Sequence, residues 1–303
     1  MKFKVKYLLF VSAFILQACG QNEEKATQKK ETTLTGSTIL AVDESFQPIV
    51  DEEAYVFEHL NTQAKLNMVY KPENNIIGLL MNDSVRLAIL SRELNANEQK
   101  VIKGRNLTAE TSRFAIDAVA LIVNTASSDT LITVTQLKDM LTGKSASDLN
   151  LVFDNPNSSL VRFLKDLANT SELKAKNVYA LKSNKEVIKY VATHQNSIGI
   201  TGFSWLNDPD EDYADAVAKT KIVGVKDDSK EGSGYIKPSQ QTLALKKYPL
   251  TRNLYIINCT GKMGLGTGFA YFMLGETGQR IILRSGILPN EIPGREINIK
   301  KKY

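Results

Sequence analysis

The chain has 303 residues, of which 43% are hydrophobic and 23% are charged, and its formal net charge at pH 7 is +5. This length predicts two domains rather than one small core, and the ordinary composition excludes a largely disordered chain or a protein with many membrane spans. The excess of basic residues is too small for a nucleic-acid-binding surface, so no nucleic-acid partner is expected.

The first eighteen residues have the pattern of a secretory leader. Three lysines within the first six residues precede an apolar run, 7–16, that is too short to cross a bilayer as a helix. The four residues from Leu16 to Cys19 are similar to a bacterial lipobox, in which the cysteine is acylated and becomes the N-terminus after cleavage. The alternative is an ordinary signal peptide followed by a chance cysteine. We predict a signal peptide over 1–18 and a cell-envelope lipoprotein, anchored to the lipid bilayer through Cys19 and facing the periplasm or the cell exterior.

Removal of the leader changes both the charge and the cysteine count. Three lysines are lost, which leaves 35 basic and 33 acidic side chains and a net charge of +2. With Cys19 acylated, Cys259 is the one remaining cysteine, so no internal disulfide is expected. The polar residues 19–35 have no hydrophobic period and predict a flexible tether.

Strands and helices alternate after the tether. We predict strands over 38–42, 65–70 and 85–90, separated by helices that begin near Ser45 and over 74–82. This order is typical of an open α/β lobe with a mainly parallel sheet. Ligands of such sheets bind beyond the carboxyl ends of the strands, where Ser45 and the pair Ser91-Arg92 fall.

A buried strand over 115–123, interrupted by the single acid Asp117, is predicted to cross into a second lobe. A helix follows it and is predicted to end at Gly143 in a left-handed cap. The remaining predicted elements are strands over 149–153, 238–245 and 254–258, a strand running into a turn over 197–205, and helices over 160–167, 184–195, 268–274 and 279–285.

Several stretches, taken in order, resemble periplasmic phosphate-binding proteins of the phosphate-specific ABC transporter: Ser91-Arg92, the Asp117 strand, Thr142-Gly143, Ser197 to Gly199, Tyr248 to Leu250, Gly278-Gln279, and Gly286 to Pro289. The resemblance implies an α/β type II periplasmic binding protein. In that fold two lobes, each an open and mainly parallel sheet flanked by helices, are joined by two hinge strands and close on a ligand. It implies a first lobe over 36–115 and 246–303 and a second lobe over 116–245.

A dehydrated tetrahedral oxyanion needs hydrogen-bond donors on all sides. Helix N-termini, serine hydroxyls and arginine guanidiniums supply them. By position, the candidate ligand-binding residues are Ser45, Phe46, Ser91, Arg92, Asn157, Ser158 and Ser159. The alternative for each serine is a purely structural N-cap.

Two positions depart from the family pattern. Asp154 stands where relatives usually have an arginine, and Arg86 stands near the place of the acid that accepts the phosphate proton. We therefore hypothesise that Arg86 and Asp154 face each other across the cleft; the alternative is a misplaced register with both residues in solvent. Arg162, one helical turn after Ser158, is a further candidate anion ligand, or else a solvated surface arginine.

Enzymatic motifs are missing. The two histidines, His59 and His194, have no cysteine or histidine at metal-ligand spacing, G-x-S-x-G is absent, and Gly143-Lys144-Ser145 lacks the first glycine of a P-loop. We expect no enzyme, metal or cofactor. The predicted function is a monomeric solute-binding lipoprotein that captures phosphate or a related oxyanion for an ABC permease. The alternative is a two-lobed interaction or sensor lipoprotein that has lost tight phosphate binding.

Overall fold

The computed structural model describes residues 31–145, 147–173 and 175–294. They belong to one compact unit that begins at Glu31. Cys19, the predicted leader and most of the predicted tether lie outside the described residues. Within the described part of the chain, no helix has the length and apolar character needed to cross a membrane.

Twelve strands are described, and ten of them belong to one sheet. The strands are β1 (Gly36–Asp43), β2 (Ala64–Lys71), β3 (Leu87–Leu90), β4 (Glu110–Asn124), β5 (Leu131–Thr133), β6 (Asn150–Phe153), β7 (Val178–Ala180), β8 (Ser197–Gly202), β9 (Thr220–Ile222), β10 (Gly224–Lys226), β11 (Thr251–Asn258) and β12 (Leu288–Pro289).

Eleven α-helices are described, and a 3-10 turn over Glu44–Phe46 precedes the first. The helices are α1 (Gln47–Leu60), α2 (Glu73–Met81), α3 (Ala96–Lys103), α4 (Val134–Thr142), α5 (Ser159–Ala168), α6 (Asn184–Val191), α7 (Ser204–Asn207), α8 (Glu211–Ala218), α9 (Gln240–Ala244), α10 (Leu265–Leu274) and α11 (Glu276–Arg284).

The main path of the sheet runs β2-β1-β3-β11-β4-β8-β6-β7. Strands β2, β1 and β3 are parallel to one another, and so are β8, β6 and β7. Between these halves, β11 and β4 run antiparallel, and β4 also pairs antiparallel with β8. Two mainly parallel half-sheets joined by shared strands agree with the predicted two-lobed α/β fold class.

Strand β4 holds the two halves together because its fifteen residues change partners midway. Residues up to Ala118 pair with β11, and residues from Val119 to Val123 pair with β8. The strand is buried from Ala115 to Val123 except at the partly exposed Ile116. The predicted buried strand is therefore confirmed, and Asp117 within it has no exposed surface.

Capping residues mark the two ends of helix α4. At the start of α4, Thr133 and Gln136 form a reciprocal capping box, and Gly143 ends the helix at φ 75°.

The predicted strand over 238–245 is wrong. Ser239 caps the short helix α9 instead and forms a capping box with Thr242. A hydroxyl that accepts the first free N–H groups of a turn favours a helix start there despite the apolar residues that follow.

Candidate functional site

The carboxyl ends of several strands meet where the two half-sheets adjoin, as expected for open α/β sheets. Asp43 ends β1, Ser91 follows β3 and Asp154 follows β6, while Glu73 begins the helix after β2. Side chains from both halves of the sheet are joined there into one group. We call it the polar cluster and define it as Asp43, Ser45, Glu73, Ser91, Asp117, Asp154, Ser158, Ser159, Arg162 and Arg252.

Glu73 and Arg162 connect the two halves directly. The Arg162 guanidinium donates to Glu73 with an Nε–Oε1 distance of 2.5 Å and to the Ser91 hydroxyl with an Nη2–Oγ distance of 2.7 Å. Ser91 in turn donates to Glu73 at 3.0 Å. Glu73 is 1% exposed. Its carboxylate therefore depends on these donors, and on Arg92 at 3.5 Å, for the compensation of a buried charge.

Arg252 and Asp117 form a second buried ion pair on neighbouring strands. They are directly opposite in the β11–β4 register, and Arg252 Nε donates to Asp117 Oδ2 at 3.0 Å. Arg252 Nη1 also donates to the Ser159 hydroxyl at 3.1 Å, and its guanidinium lies 4.6 Å from the centre of the Phe46 ring. Arg252 thus holds the first turn of α5 against strands β4 and β11.

Asp43 is completely buried. Its Oδ1 accepts the backbone N–H of Ser45 at 3.0 Å, and its Oδ2 has no hydrogen-bond partner among the described residues. Burial, followed by repulsion from Glu73, raises the pKa of Asp43 to about 6, although Arg252 and Ser159 act in the opposite direction. In the charged form of Asp43, Oδ2 is an acceptor without a partner among the described residues. In the protonated form, the carboxyl group can donate a hydrogen bond instead.

Asp154 is a second buried carboxyl of the same kind. It accepts from Ser158 Oγ at 2.5 Å and from Asn184 Nδ2 at 3.2 Å. Burial raises its pKa to about 7, and Asp43 adds to the rise. The neighbouring Glu44 also has its pKa raised to about 7, by burial and then by repulsion from Asp154 and Asp43. Asp43 therefore disfavours the ionisation of both Asp154 and Glu44.

Three serines of the cluster, Ser45, Ser158 and Ser159, lie at or just before helix starts. Ser158 is the N-cap of α5, and its hydroxyl accepts from Val161 N at 3.2 Å. Ser45 differs, because its hydroxyl is buried and has no partner within the described chain. Trp205 Nε1 donates to the carbonyl of Ser45 at 2.9 Å and holds this residue from the second half of the sheet. Ser45 Oγ is therefore a buried donor that the described part of the chain does not use.

Most of the sequence-predicted residues lie in or beside the polar cluster. They are Ser45, Phe46, Ser91, Arg92, Asp154, Ser158, Ser159 and Arg162. Asn157 is exposed, and its carbonyl accepts from Asn74 N at 3.4 Å. Its side chain adds no described contact to the cluster.

Arg86 does not reach the cluster, and the predicted pairing with Asp154 is not seen. Arg86 precedes β3, whereas Ser91 follows it, so the two residues lie at opposite ends of one strand. The guanidinium instead makes two 2.7 Å contacts with Asp83. The interpretation counted back from Ser91 across an extended strand, which carried the position to the far edge of the sheet.

Four members of the cluster were not among the sequence-predicted site residues: Asp43, Glu73, Asp117 and Arg252. A usable signal existed for one of them. Asp117 interrupts an apolar strand, and a carboxylate there requires a buried partner of opposite charge. Arg252, the one arginine in the antiparallel strand β11, could have been selected on that ground.

Chemically, the site combines donors and acceptors. Serine hydroxyls, two guanidiniums and the first turn of α5 can donate to an anion, and the carboxyl groups can accept a hydrogen bond from a protonated oxygen. No group of three or more His, Cys, Asp or Glu side chains in the described ranges is arranged to hold a metal ion. The arrangement fits recognition of a small oxyanion.

Comparison with known proteins gives related sequences and folds. The model of the PBP superfamily domain matches residues 27–277. The phosphate-binding protein PstS of Borreliella burgdorferi is 27% identical over 305 residues, covering 94% of this chain and 98% of that protein. Among solved structures, a putative phosphate ABC transporter substrate-binding protein from Clostridium perfringens, with bound phosphate, has a TM-score of 0.70 at 19% identity, covering 84% of this chain and all of that one. An ABC-type phosphate transport receptor from Vibrio cholerae has a TM-score of 0.64 at 17% identity, with 84% and 100% covered. These structures share the fold of this chain.

Proposed function

The chain belongs to the PBP superfamily, and from this membership we propose that it is a solute-binding protein of an ABC transporter that captures phosphate or a related tetrahedral oxyanion. The relatives named above are phosphate-binding or phosphate-transport receptors. They are binding proteins rather than enzymes, and we assign this chain the same non-enzymatic role.

One observation carries the proposal. Donors from both halves of the sheet lie in the one polar cluster: Arg162 donates to the Ser91 hydroxyl, and Arg252 donates to the Ser159 hydroxyl. The buried hydroxyl of Ser45 has no partner among the described residues, and the ring of the next residue, Phe46, lies against Arg252. An oxyanion needs donors on all sides because it is dehydrated when it binds, and charge-assisted bonds of this kind are the strong ones.

The division into lobes supports capture by closure. We assign 36–115 and 246–303 to the first lobe and 116–245 to the second, with β4 and β11 as the hinge strands. Glu73 and Ser91 then belong to the first lobe and Arg162 to the second. The contacts of Arg162 link the two lobes only when they are together, so a ligand that joins this network stabilises the closed arrangement.

Beyond the described residues, we propose that 1–18 is a cleaved leader and that acylated Cys19 attaches a monomeric receptor to the membrane, facing the periplasm or the cell exterior. Of the predicted tether over 19–35, the polar residues up to 30, which precede the compact unit, would supply the flexible link. This arrangement would keep the receptor close to its permease, since several acyl chains give durable anchoring. The support is the lipobox-like sequence from Leu16 to Cys19.

A second function has a specific observation in its favour. Arg162 and Ser91 are already bound to Glu73, and Asp43 and Asp154 add further acids. Such a site could have lost tight phosphate binding while the fold serves as an interaction or sensor lipoprotein. The excess of carboxyl groups is what favours this alternative.

Titration calorimetry of the compact unit that begins at Glu31 separates the two functions. Phosphate, sulfate and a panel of phosphorylated metabolites would each be titrated at several pH values. A phosphate Kd of roughly micromolar or tighter, about −8 kcal/mol, is expected of a transport receptor. The absence of heat with every anion, from protein shown by circular dichroism to be folded, would favour the interaction protein.

A further inference from the structure

The polar cluster already contains negative charge beside the donors that an oxyanion would use. Asp43 Oδ1 accepts the Ser45 amide, which lies in the turn before α1. Asp154 accepts from Ser158, the N-cap of α5. Carboxylates are favoured at helix N-termini for the same electrostatic reason that phosphate is. The two aspartates therefore occupy positions that would also favour a bound anion.

The positive charge of the cluster does not balance these acids. Glu73 and Asp117 are paired closely with Arg162 and Arg252. Among the residues that the structure describes, Asp43 and Asp154 have hydrogen bonds to other groups and none to a guanidinium. Asp43 Oδ2 is moreover left without a partner among the described residues. An oxyanion placed in the cluster would meet two buried carboxylates whose charge is only partly compensated.

We propose that the carboxylates of Asp43 and Asp154 hold, in the free protein, the negative charge that the oxyanion brings when it binds, and that binding is coupled to proton uptake by this pair. This inference rests on the proposed function, because it concerns the same site. The proton balance is simple: the oxyanion and a proton from solvent enter the cluster together. A protonated carboxyl then donates to the oxyanion instead of repelling it.

The surroundings of the pair set the direction of the effect. Asp43 lies near Glu73 of α2 and Arg252 of β11, and Asp154 lies near Asp43 and Arg252. The other titratable or polar groups that face the pair are Glu44, which adjoins Asp43, Ser158 and Ser159 of α5, Asn184 of α6, and the exposed Lys71, opposite Asp43 on β2.

Burial gives Asp43 a pKa of about 6 and Asp154 a pKa of about 7, so both ionise across the neutral range. An added anion raises both pKa values further, because like charge disfavours ionisation. Proton uptake, and with it tighter binding, is therefore expected as the pH falls through this range.

The test compares the phosphate Kd of the wild-type unit from Glu31 onward with that of Asp43→Asn at about pH 5.5, 6.5, 7.5 and 8.5. Asparagine keeps an oxygen that can accept the Ser45 amide and removes the charge, so the N-cap is conserved. The ionisation of phosphate itself is common to both proteins and cancels in the ratio of the two Kd values. The ratio of wild-type Kd to variant Kd should be near one at the lowest pH and reach about tenfold or more at the highest.

A second aspartate variant provides the control. Asp215→Asn, at an exposed position on α8, should give a ratio near one at every pH. If Asp43→Asn does not fold, Asp154→Asn carries the same comparison with the same expected trend. A ratio that stays flat, or a variant that binds phosphate more weakly at every pH, would overturn proton coupling while leaving phosphate capture intact. A lack of phosphate, arsenate and sulfate binding by both folded proteins would overturn the proposed function and this inference together.

Discussion

Arg162 on α5 and Glu73 on α2 are 89 residues apart in the chain, yet their side chains meet with an Nε–Oε1 distance of 2.5 Å. The same guanidinium reaches Ser91, so one side chain connects the residue after β3 with the helix after β2. Because Arg162 compensates the buried charge of Glu73, removal of its guanidinium should also affect an anion that binds in the polar cluster.

Arg162→Ala should weaken phosphate binding about ten- to hundredfold, since a hydrogen bond to a charged group contributes roughly 1.5–3 kcal/mol. Calorimetry at one pH measures the change. Arg280→Ala is the matched control, because Arg280 pairs with Glu276 one turn earlier on the exposed face of α11. Equal phosphate affinity of both variants and the wild type would remove Arg162 from the binding site.

Breaking the buried pair between Arg252 and Asp117 should lower the free energy of unfolding by about 3–5 kcal/mol, because the remaining charge stays buried without compensation. Arg252→Met leaves Asp117 in that state, and the double variant with Asp117→Asn should recover part of the loss. Urea denaturation followed by circular dichroism gives both values. Lys65→Met, which breaks only the 3.8 Å pair between the exposed Lys65 and the half-buried Glu58, should change the free energy by less than about 1 kcal/mol. Similar losses for the buried and exposed pairs would contradict the argument.

The buried Glu53 should make the free energy of unfolding depend on pH. It is completely buried on α1, both of its oxygens lack a partner among the described residues, and burial raises its pKa from 4.5 to about 9. Between these values the folded protein binds a proton that the unfolded chain has lost. The free energy of unfolding should therefore fall as the pH rises, by up to about 1.4 kcal/mol per unit from this residue.

Glu53→Gln should flatten that pH dependence, and the difference from wild type isolates the residue from Asp43, Glu44 and Asp154. Chemical denaturation at about pH 5, 6, 7 and 8 measures it. Glu52→Gln is the control, because Glu52 is the exposed neighbour on the same helix. Parallel curves for wild type and Glu53→Gln would show that Glu53 is ionised in the folded state.

The thiol of Cys259 should be almost inert in the folded protein. It is 1% exposed, and burial raises its pKa from 9.0 to about 11, which lowers the thiolate fraction about a hundredfold at neutral pH. Ellman's reagent should therefore react only after denaturant is added to the unit from Glu31 onward. The exposed Ser128, replaced in Ser128→Cys, provides a thiol that should react at once. Rapid labelling of Cys259 under native conditions would indicate local opening of β11.

Membrane attachment depends on Cys19 if the lipobox interpretation is correct. In the full chain, Cys19→Ala should abolish labelling by a fatty-acid precursor and move the protein from the membrane fraction to the soluble fraction. Cys259→Ala, which leaves the lipobox unchanged, should keep both properties. Retention of Cys19→Ala in the membrane fraction would point to a different anchor.

Local patterns in the sequence were enough to predict β4, the cap of α4 at Gly143 and the order of the first strands. Each depends on residues close together in the chain, such as the apolar run from Ala115 to Val123. The helix α9 was mistaken for a strand because five residues provide too short a period to distinguish the two.

The site required information that no local pattern contains. Glu73 becomes a site residue only because α2 faces α5, and Arg252 only because β11 returns beside β4. Arg86 shows the converse, since its position in the sequence beside Ser91 hides the fact that β3 separates their side chains. Which donors meet is decided by the sheet order, and that order is set by long-range pairing.

The partner change of β4 also restricts how the molecule can deform. An unbroken backbone passes from one half-sheet into the other between Ala118 and Val119, with Val119 N bonded to Leu250 O at 2.8 Å and Phe203 N bonded to Ala118 O at 2.9 Å. Sliding the halves apart would break this ladder, whereas small torsions at these residues would preserve it. The two halves of the sheet should therefore rotate relative to each other about β4. Paired spin labels, one on each half, should report a change of angle rather than a wide separation.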